Sequence, residues 1–223
     1  MSQSERALTT LQRLIEEGEL RSGTMISERD LMALTGLGRT PVREAVQRLE
    51  RGHMVRVHPS KGIEIPADSV EDQLSRLEVR RAMELLAVGL ACARATAGDL
   101  ARVREMAARL DGDFGLHDYG ETVRRTHGLI TDCAHNPYIG ALMAPLQSLS
   151  RRFWMTHIRD EAAEIRRGKA LHREMLLAIA DRDAGRAESA SLALNDYLVA
   201  FAVGIIDQRL GKGEVARPRD GAA

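Results

Sequence analysis

Cysteine is nearly missing from the 223 residues: only Cys92 and Cys133 occur. Two cysteines spaced so far apart form neither a disulfide framework nor a zinc motif, and they read as small core side chains in a reducing compartment. Aromatic residues amount to 3% and prolines to six, while Ala, Leu, Arg and Glu, all strong helix formers, dominate. Net charge is lacking as well. The 32 Lys and Arg balance the 32 Asp and Glu, which excludes a globally basic coat for nucleic acid but says nothing of local patches. No apolar run approaches the ~20 residues of a membrane span, and MSQSERALTT carries no apolar stretch of a signal peptide. A soluble cytoplasmic protein without membrane contact is the expectation. What is present is a 44% hydrophobic fraction, enough for a core, so a disordered chain is excluded. The length suits one large domain, or a small one joined to a medium one.

The pattern changes near Pro66. Leu8, Leu11, Leu14 and Ile15 recur at helical spacing over about 7–17. SERDLMALTG opens on Ser27 and Asp30 as a capping box and closes on Gly36. GRTPVREAVQRLERG predicts a third helix with Thr40 as N-cap, Pro41 at the first helical position and Gly52 as the stop. MVRVHPSKGIEIP alternates apolar and polar residues around Pro59–Gly62, the sign of a short hairpin. Three helices and a hairpin in this order predict a winged helix-turn-helix.

Charge concentrates there. From Gly38 to Lys61, Arg39, Arg43, Arg48, Arg51, Arg56 and Lys61 face only Glu44 and Glu50. A helix N-terminus carrying Arg39 and Thr40 offers amides and a positive dipole to phosphate, and a guanidinium to guanine. The plain alternative is a solvated charged face. His53 and His58, in the hairpin, either touch DNA or face solvent.

The stretch GLGRTPVREAVQRLERGHMVRVHPSKGIEI, with GELRSG upstream, resembles the DNA-binding module of the GntR family of bacterial transcriptional regulators. The resemblance covers most of residues 6–66. It implies DNA contact by Arg29, by Arg39, Thr40 and Arg43 on the recognition helix, and by Lys61 and Gly62 in the wing. Gly38 departs from the family's Ser or Thr, which leaves the cap to Thr40.

Residues 67–210 read as an all-helical bundle, with helices at about 69–95, 97–111, 119–134, 137–157, 159–181 and 184–209, and 211–223 as a flexible tail. Ser69, Thr96 and Asp118 each stand three residues before an acidic side chain, as at helix starts. This half is similar to the effector domain of the FadR subfamily, the FCD type, through VRRAMELLAVGLACARAT, THGLITDCAHNPYIGAL and LHREMLLAIADRDAGRA. Many members hold a divalent metal with one Asp and three His. The resemblance carries those positions onto Val123, His127, His172 and Leu194, so two of four ligands are absent here, including the only anion. Asn195 stands one residue beyond the lost His, a step that turns a helical side chain by ~100°. Two imidazoles alone hold a metal weakly, and no cofactor is expected.

His127 and His172 both fall on apolar faces, as core groups or as contacts for an effector. Arg80 supplies either a bidentate anchor for a carboxylate or an ion pair with Glu78 or Glu84 at the surface. Trp154 and Phe153 read as core or dimer packing. The expected function is a ligand-responsive DNA-binding transcriptional regulator. It would be a homodimeric repressor released from double-stranded operator DNA by a small carboxylate. The rival is a small metal-independent hydrolase or lyase using His127 and His172, for which no phosphate loop, nucleophile elbow or carboxylate pair is evident. An interaction adaptor leaves the recognition helix unexplained.

Overall fold

Ser2 caps the first helix by accepting from the Glu5 amide while Glu5 returns the bond, so α1 (Gln3–Glu16) begins earlier than its apolar spacing indicates. The computed structural model describes residues 1–213, and the side chains of 1–206. From residue 214 onward the expected tail lies outside the described residues. The capping box of Ser27 and Asp30 opens α2 (Glu28–Thr35), which ends on Gly36 at φ +65°.

The next helix corrects the sequence reading. α3 (Arg39–Arg51) has Gly38 as its N-cap, with no side-chain cap bond, so Thr40 lies inside the first turn and Pro41 one position further. The turn after Gly36 is short enough for Gly38 to take the extended cap conformation. Pro41 costs no bond there, because the first-turn amides have no intrahelical acceptor.

A three-stranded antiparallel sheet completes this unit. It runs β1 (Thr24–Ile26), β3 (Gly62–Ile65), β2 (Arg56–His58), with β3 in the centre. The expected hairpin is β2–β3; β1 is an addition, too short for its alternation to show. Gly62 sits at φ +116°, and a Cβ there would meet the Ile26 carbonyl oxygen at 3.0 Å, so only glycine lets β1 approach. Leu11, Ile15, Leu31, Val42, Leu49 and Ile65 form the buried centre.

Six helices follow: α4 (Val70–Arg94), α5 (Ala97–Arg109), α6 (Leu116–Cys133), α7 (Pro137–His157), α8 (Glu161–Ala180) and α9 (Ala184–Gly213). Ser69 and Thr96 cap α4 and α5 as expected. Asp118 does not open α6. Gly115 is its N-cap, and the Leu116 amide donates to Glu161 of α8 at 2.8 Å, a cap from a distant helix that no local pattern shows. One more reading needs correction. By length and composition, Ala184–Ile206 could cross a membrane. In the fold α9 packs against α4 and α8, burying Ala187, Leu194, Tyr197 and Ala202. Cys92 and Cys133 are buried free thiols, as expected.

α7 joins the two parts. Its Leu149 belongs to the first core, and its Arg152 donates to both oxygens of Asp68 at 2.7 and 2.6 Å.

Candidate DNA-contacting surface and ligand cavity

Arg29, Arg39, Thr40, Arg43 and Lys61 are all exposed, and Gly62 is half-buried at the base of the wing. The recognition helix presents Arg39 and Arg43 one turn apart, and both meet one carboxylate. Glu28 of α2 accepts from Arg43 Nε at 2.8 Å and from Arg39 Nε at 3.3 Å. The Arg43 bond leads in holding the Glu28 carboxyl below its ordinary range. Because Gly38 lacks a side chain, the first-turn amides of α3 have no side-chain cap and are open to an anion. In the wing, Glu64 takes His58 Nε2 at 2.6 Å and Arg56 at 3.3 Å, so His58 is engaged within the sheet.

The second cluster lies inside the bundle. Arg80, Val123, His127, His172 and Leu194 all line one cavity of about 40 Å³, room for ~3 waters. The effector candidates are thus brought together, with the two aliphatic residues beside them. Arg80 pairs with Glu84, as one of the two readings above had it, but inside the bundle rather than at the surface. Its Nε and Nη2 both donate to Glu84 Oε1, at 3.0 and 2.6 Å, along α4.

The histidine tautomers follow from the bonding. His172 Nδ1 lies 2.7 Å from the Gly168 carbonyl oxygen, which can only accept, so Nδ1 carries the proton. Neutral His172 then offers a lone pair at Nε2, and His127 Nε2, 3.2 Å away, must be the donor. That leaves His127 Nδ1 a bare acceptor, and it is buried without a partner among the described residues. Burial first, then the His172 ring and the Arg80 and Arg151 charges, depresses His127 well below the ordinary histidine value. Burial also brings His172 down to about 4, the Gly168 carbonyl opposing and Arg80 and Arg151 assisting. Both rings are neutral near pH 7.

This donor set does not fit a divalent metal. Two imidazole nitrogens are spent on each other, Val123 and Leu194 supply no donor, and no group of three or more His, Cys, Asp or Glu converges among the described residues. Asn195 does not substitute: its Nδ2 donates to the Leu77 carbonyl at 3.1 Å and its Oδ1 faces Arg81.

Several wall residues escape sequence reasoning. Trp154, assigned there to packing, lines the cavity and donates to Tyr197 Oη at 2.7 Å. Tyr119, Ser150 and Arg151 line it too. Ser150 Oγ is buried without a partner among the described residues. Arg151 pairs with Glu16 of α1, the Nε and Nη2 bonds being 2.9 and 2.8 Å. A charge interrupting the apolar stripe of each helix is the signal that could have found this pair.

A basic winged helix-turn-helix joined to a helical bundle around a small cavity defines a class, the transcriptional regulators that bind DNA at one end and sense at the other. The chain belongs to the GntR family of bacterial regulatory proteins, matched over residues 3–65, and its helical half is an FCD domain, matched over 75–196. It is 24% identical over 145 residues to the uncharacterized HTH-type transcriptional regulator YdhC of Bacillus subtilis, and 33% over 95 residues to the HTH-type transcriptional regulator McbR of Escherichia coli. Those matches take in 62% and 42% of this chain and span 64% and 42% of the relatives' own lengths. In structure it is similar to E. coli McbR/YncC, with a TM-score of 0.77 at 21% identity over 92% of this chain and 99% of that one. A putative GntR regulator from Rhodococcus sp. RHA1 gives 0.66 at 22% identity, over 93% and 99%. The family is one of regulators, not enzymes, which sets aside the hydrolase or lyase reading.

Proposed function

We propose that this chain is a homodimeric cytoplasmic repressor whose bundle cavity takes a short carboxylate and thereby lowers affinity for a two-fold operator. The observation that supports the ligand class is that Arg80 and Arg151, held by Glu84 and Glu16, both line one small cavity beside two uncharged imidazoles. A carboxylate can compete for either guanidinium with its present partner, and the Ser150 hydroxyl is left to donate to it. The small volume favours a chain of a few carbons. On the DNA side, Arg39 reads a base edge while Lys61 meets phosphate.

Trp154 is the single tryptophan and stands in the cavity wall. Titrating acetate, propionate and butyrate against their amides, with Trp154 emission as readout, tests the ligand class. Saturable change with the acids alone supports it; equal response to the amides removes the anion. No metal is part of this reading. Elemental analysis of the purified protein is expected to find zinc, nickel and manganese far below one per chain, with no loss of melting temperature in a chelator. Stoichiometric metal that disappears in His127→Ala would overturn that.

A further inference from the structure

Two ion pairs border the cavity, and they differ in what they hold. Arg80 and Glu84 lie on one helix, so breaking that pair separates nothing. Arg151 and Glu16 lie on α7 and α1, so their pair ties the helical bundle to the DNA-binding unit. Both partners are buried, and Ser148 Oγ also donates to Glu16. Nε and Nη2 of Arg151 are taken by Glu16, and Arg151 also lines the cavity. The same guanidinium therefore serves two places, the cavity and the joint.

A second carboxylate beside Arg151 would put two anions on one buried cation, and like charges so placed repel strongly. Glu16 has somewhere to go. It lines a cleft of about 240 Å³ between α1 and α6, together with Arg13 and Arg124, which it would have to share with Glu17 and Glu121. Gly120 lines both this cleft and the cavity, so the two spaces adjoin. α1 packs along α3, the recognition helix, through Leu11 and Ile15 on its buried face. Movement of α1 is thus passed to the surface that meets DNA.

We propose that Arg151 is a two-sided latch: a carboxylate entering the cavity takes Arg151 from Glu16, Glu16 swings to Arg13 or Arg124, and α1 loosens from α7. This rests on the reading of the cavity as a carboxylate site.

The test uses the full chain, propionate as probe, Trp154 emission for occupancy and hydrogen exchange of the α1 amides for the joint. In the wild type, propionate is expected to speed α1 exchange about tenfold, within the usual range of coupling between sites. Glu16→Gln removes the competing anion. It is expected to bind propionate about tenfold more tightly, and its α1 amides should exchange fast with or without the probe. Glu17→Gln, which breaks the pairs with Arg13 (2.6 Å) and His117 (2.9 Å) but leaves Glu16 on Arg151, is the control and should keep slow exchange and wild-type affinity. If Glu16→Gln does not fold, Glu16→Gln with Arg151→Gln leaves no buried charge unpaired and should show fast exchange that propionate does not alter. Wild-type α1 protection in Glu16→Gln, or in the double variant, refutes the latch. So does a Trp154 response in the wild type without faster α1 exchange, which would leave the carboxylate site standing. Absence of any Trp154 response in both wild type and Glu16→Gln removes the site itself, and the latch with it.

Discussion

Single residues carry two of the tightest constraints in the bundle. A Cβ on Gly168 would run into Tyr119 Oη, so glycine here is a packing requirement. Gly168→Ala is expected to lower stability by roughly 1–3 kcal/mol, the range for overpacked cores, measured by denaturant unfolding. Adding Tyr119→Phe removes the clashing oxygen and should recover part of the loss; no recovery would place the strain elsewhere. The second constraint is the imidazole pair. His127 and His172 are kept neutral in the fold, with His172 near 4, whereas an unfolded histidine titrates near 6.5. Below 6.5 the unfolded chain takes up protons that the folded chain refuses, so this contribution is complete above pH 6.5 and is lost as pH falls toward 4. Melting temperature should fall across that window, and His172→Gln should flatten the fall. An unchanged slope in that variant would assign the acid sensitivity to other groups. Neither constraint can be read from sequence, because both depend on which helices face each other.

At the scale of elements, what was legible follows from how local the signal is. Ser27 with Asp30 and Thr96 with Asp99 cap within four residues, and both boxes form as read. Helix α6 starts where Glu161, from another helix, receives the Leu116 amide, and that is invisible to any window of sequence. The apolar stripes placed His127 and His172 inward, and the structure sets them against each other. Arg151 was missed because a charged residue in mid-helix reads as surface until its partner is known. The turn between α2 and α3 adds a consequence: Glu28 holds both Arg39 and Arg43 at the N-terminus of the recognition helix. These pairs are largely exposed and individually weak, so DNA can take the arginines over. Removing the carboxylate, in Glu28→Gln, should tighten binding to every duplex severalfold and narrow the gap between operator and random DNA, by easing repulsion from phosphate. Arg39→Ala should instead cost about 1–3 kcal/mol on the operator alone, and Lys61→Ala should weaken all sequences and reduce the salt slope. Anisotropy titrations at several salt concentrations separate the three. Equal losses on operator and random DNA in Arg39→Ala would end its base-reading role.

For the whole molecule, a single winged module makes few contacts, and two-fold operators are matched by two-fold proteins with half-sites a helical turn or its multiple apart. The proposed homodimer needs a face on the bundle. Val79 and Leu86, each half exposed, stand two turns apart on α4, so they share a side of the helix. On α7, which packs against α4, Tyr138 and Leu142 are 76% and 61% exposed one turn apart. Exposed large apolar side chains on two helices that pack together are the natural place for the proposed dimer to join. Val79→Glu with Leu86→Glu places charges at the centre of that face without touching the core, so the fold should survive and the dimer should not. Sedimentation at ~10 µM is expected to give a dimer for the wild type and a monomer for the variant, a shift that a charge buried in an interface is large enough to cause. Operator affinity should then drop to that of an isolated half-site, while half-site affinity itself stays unchanged. A variant that remains dimeric with full operator affinity would move the interface to another face.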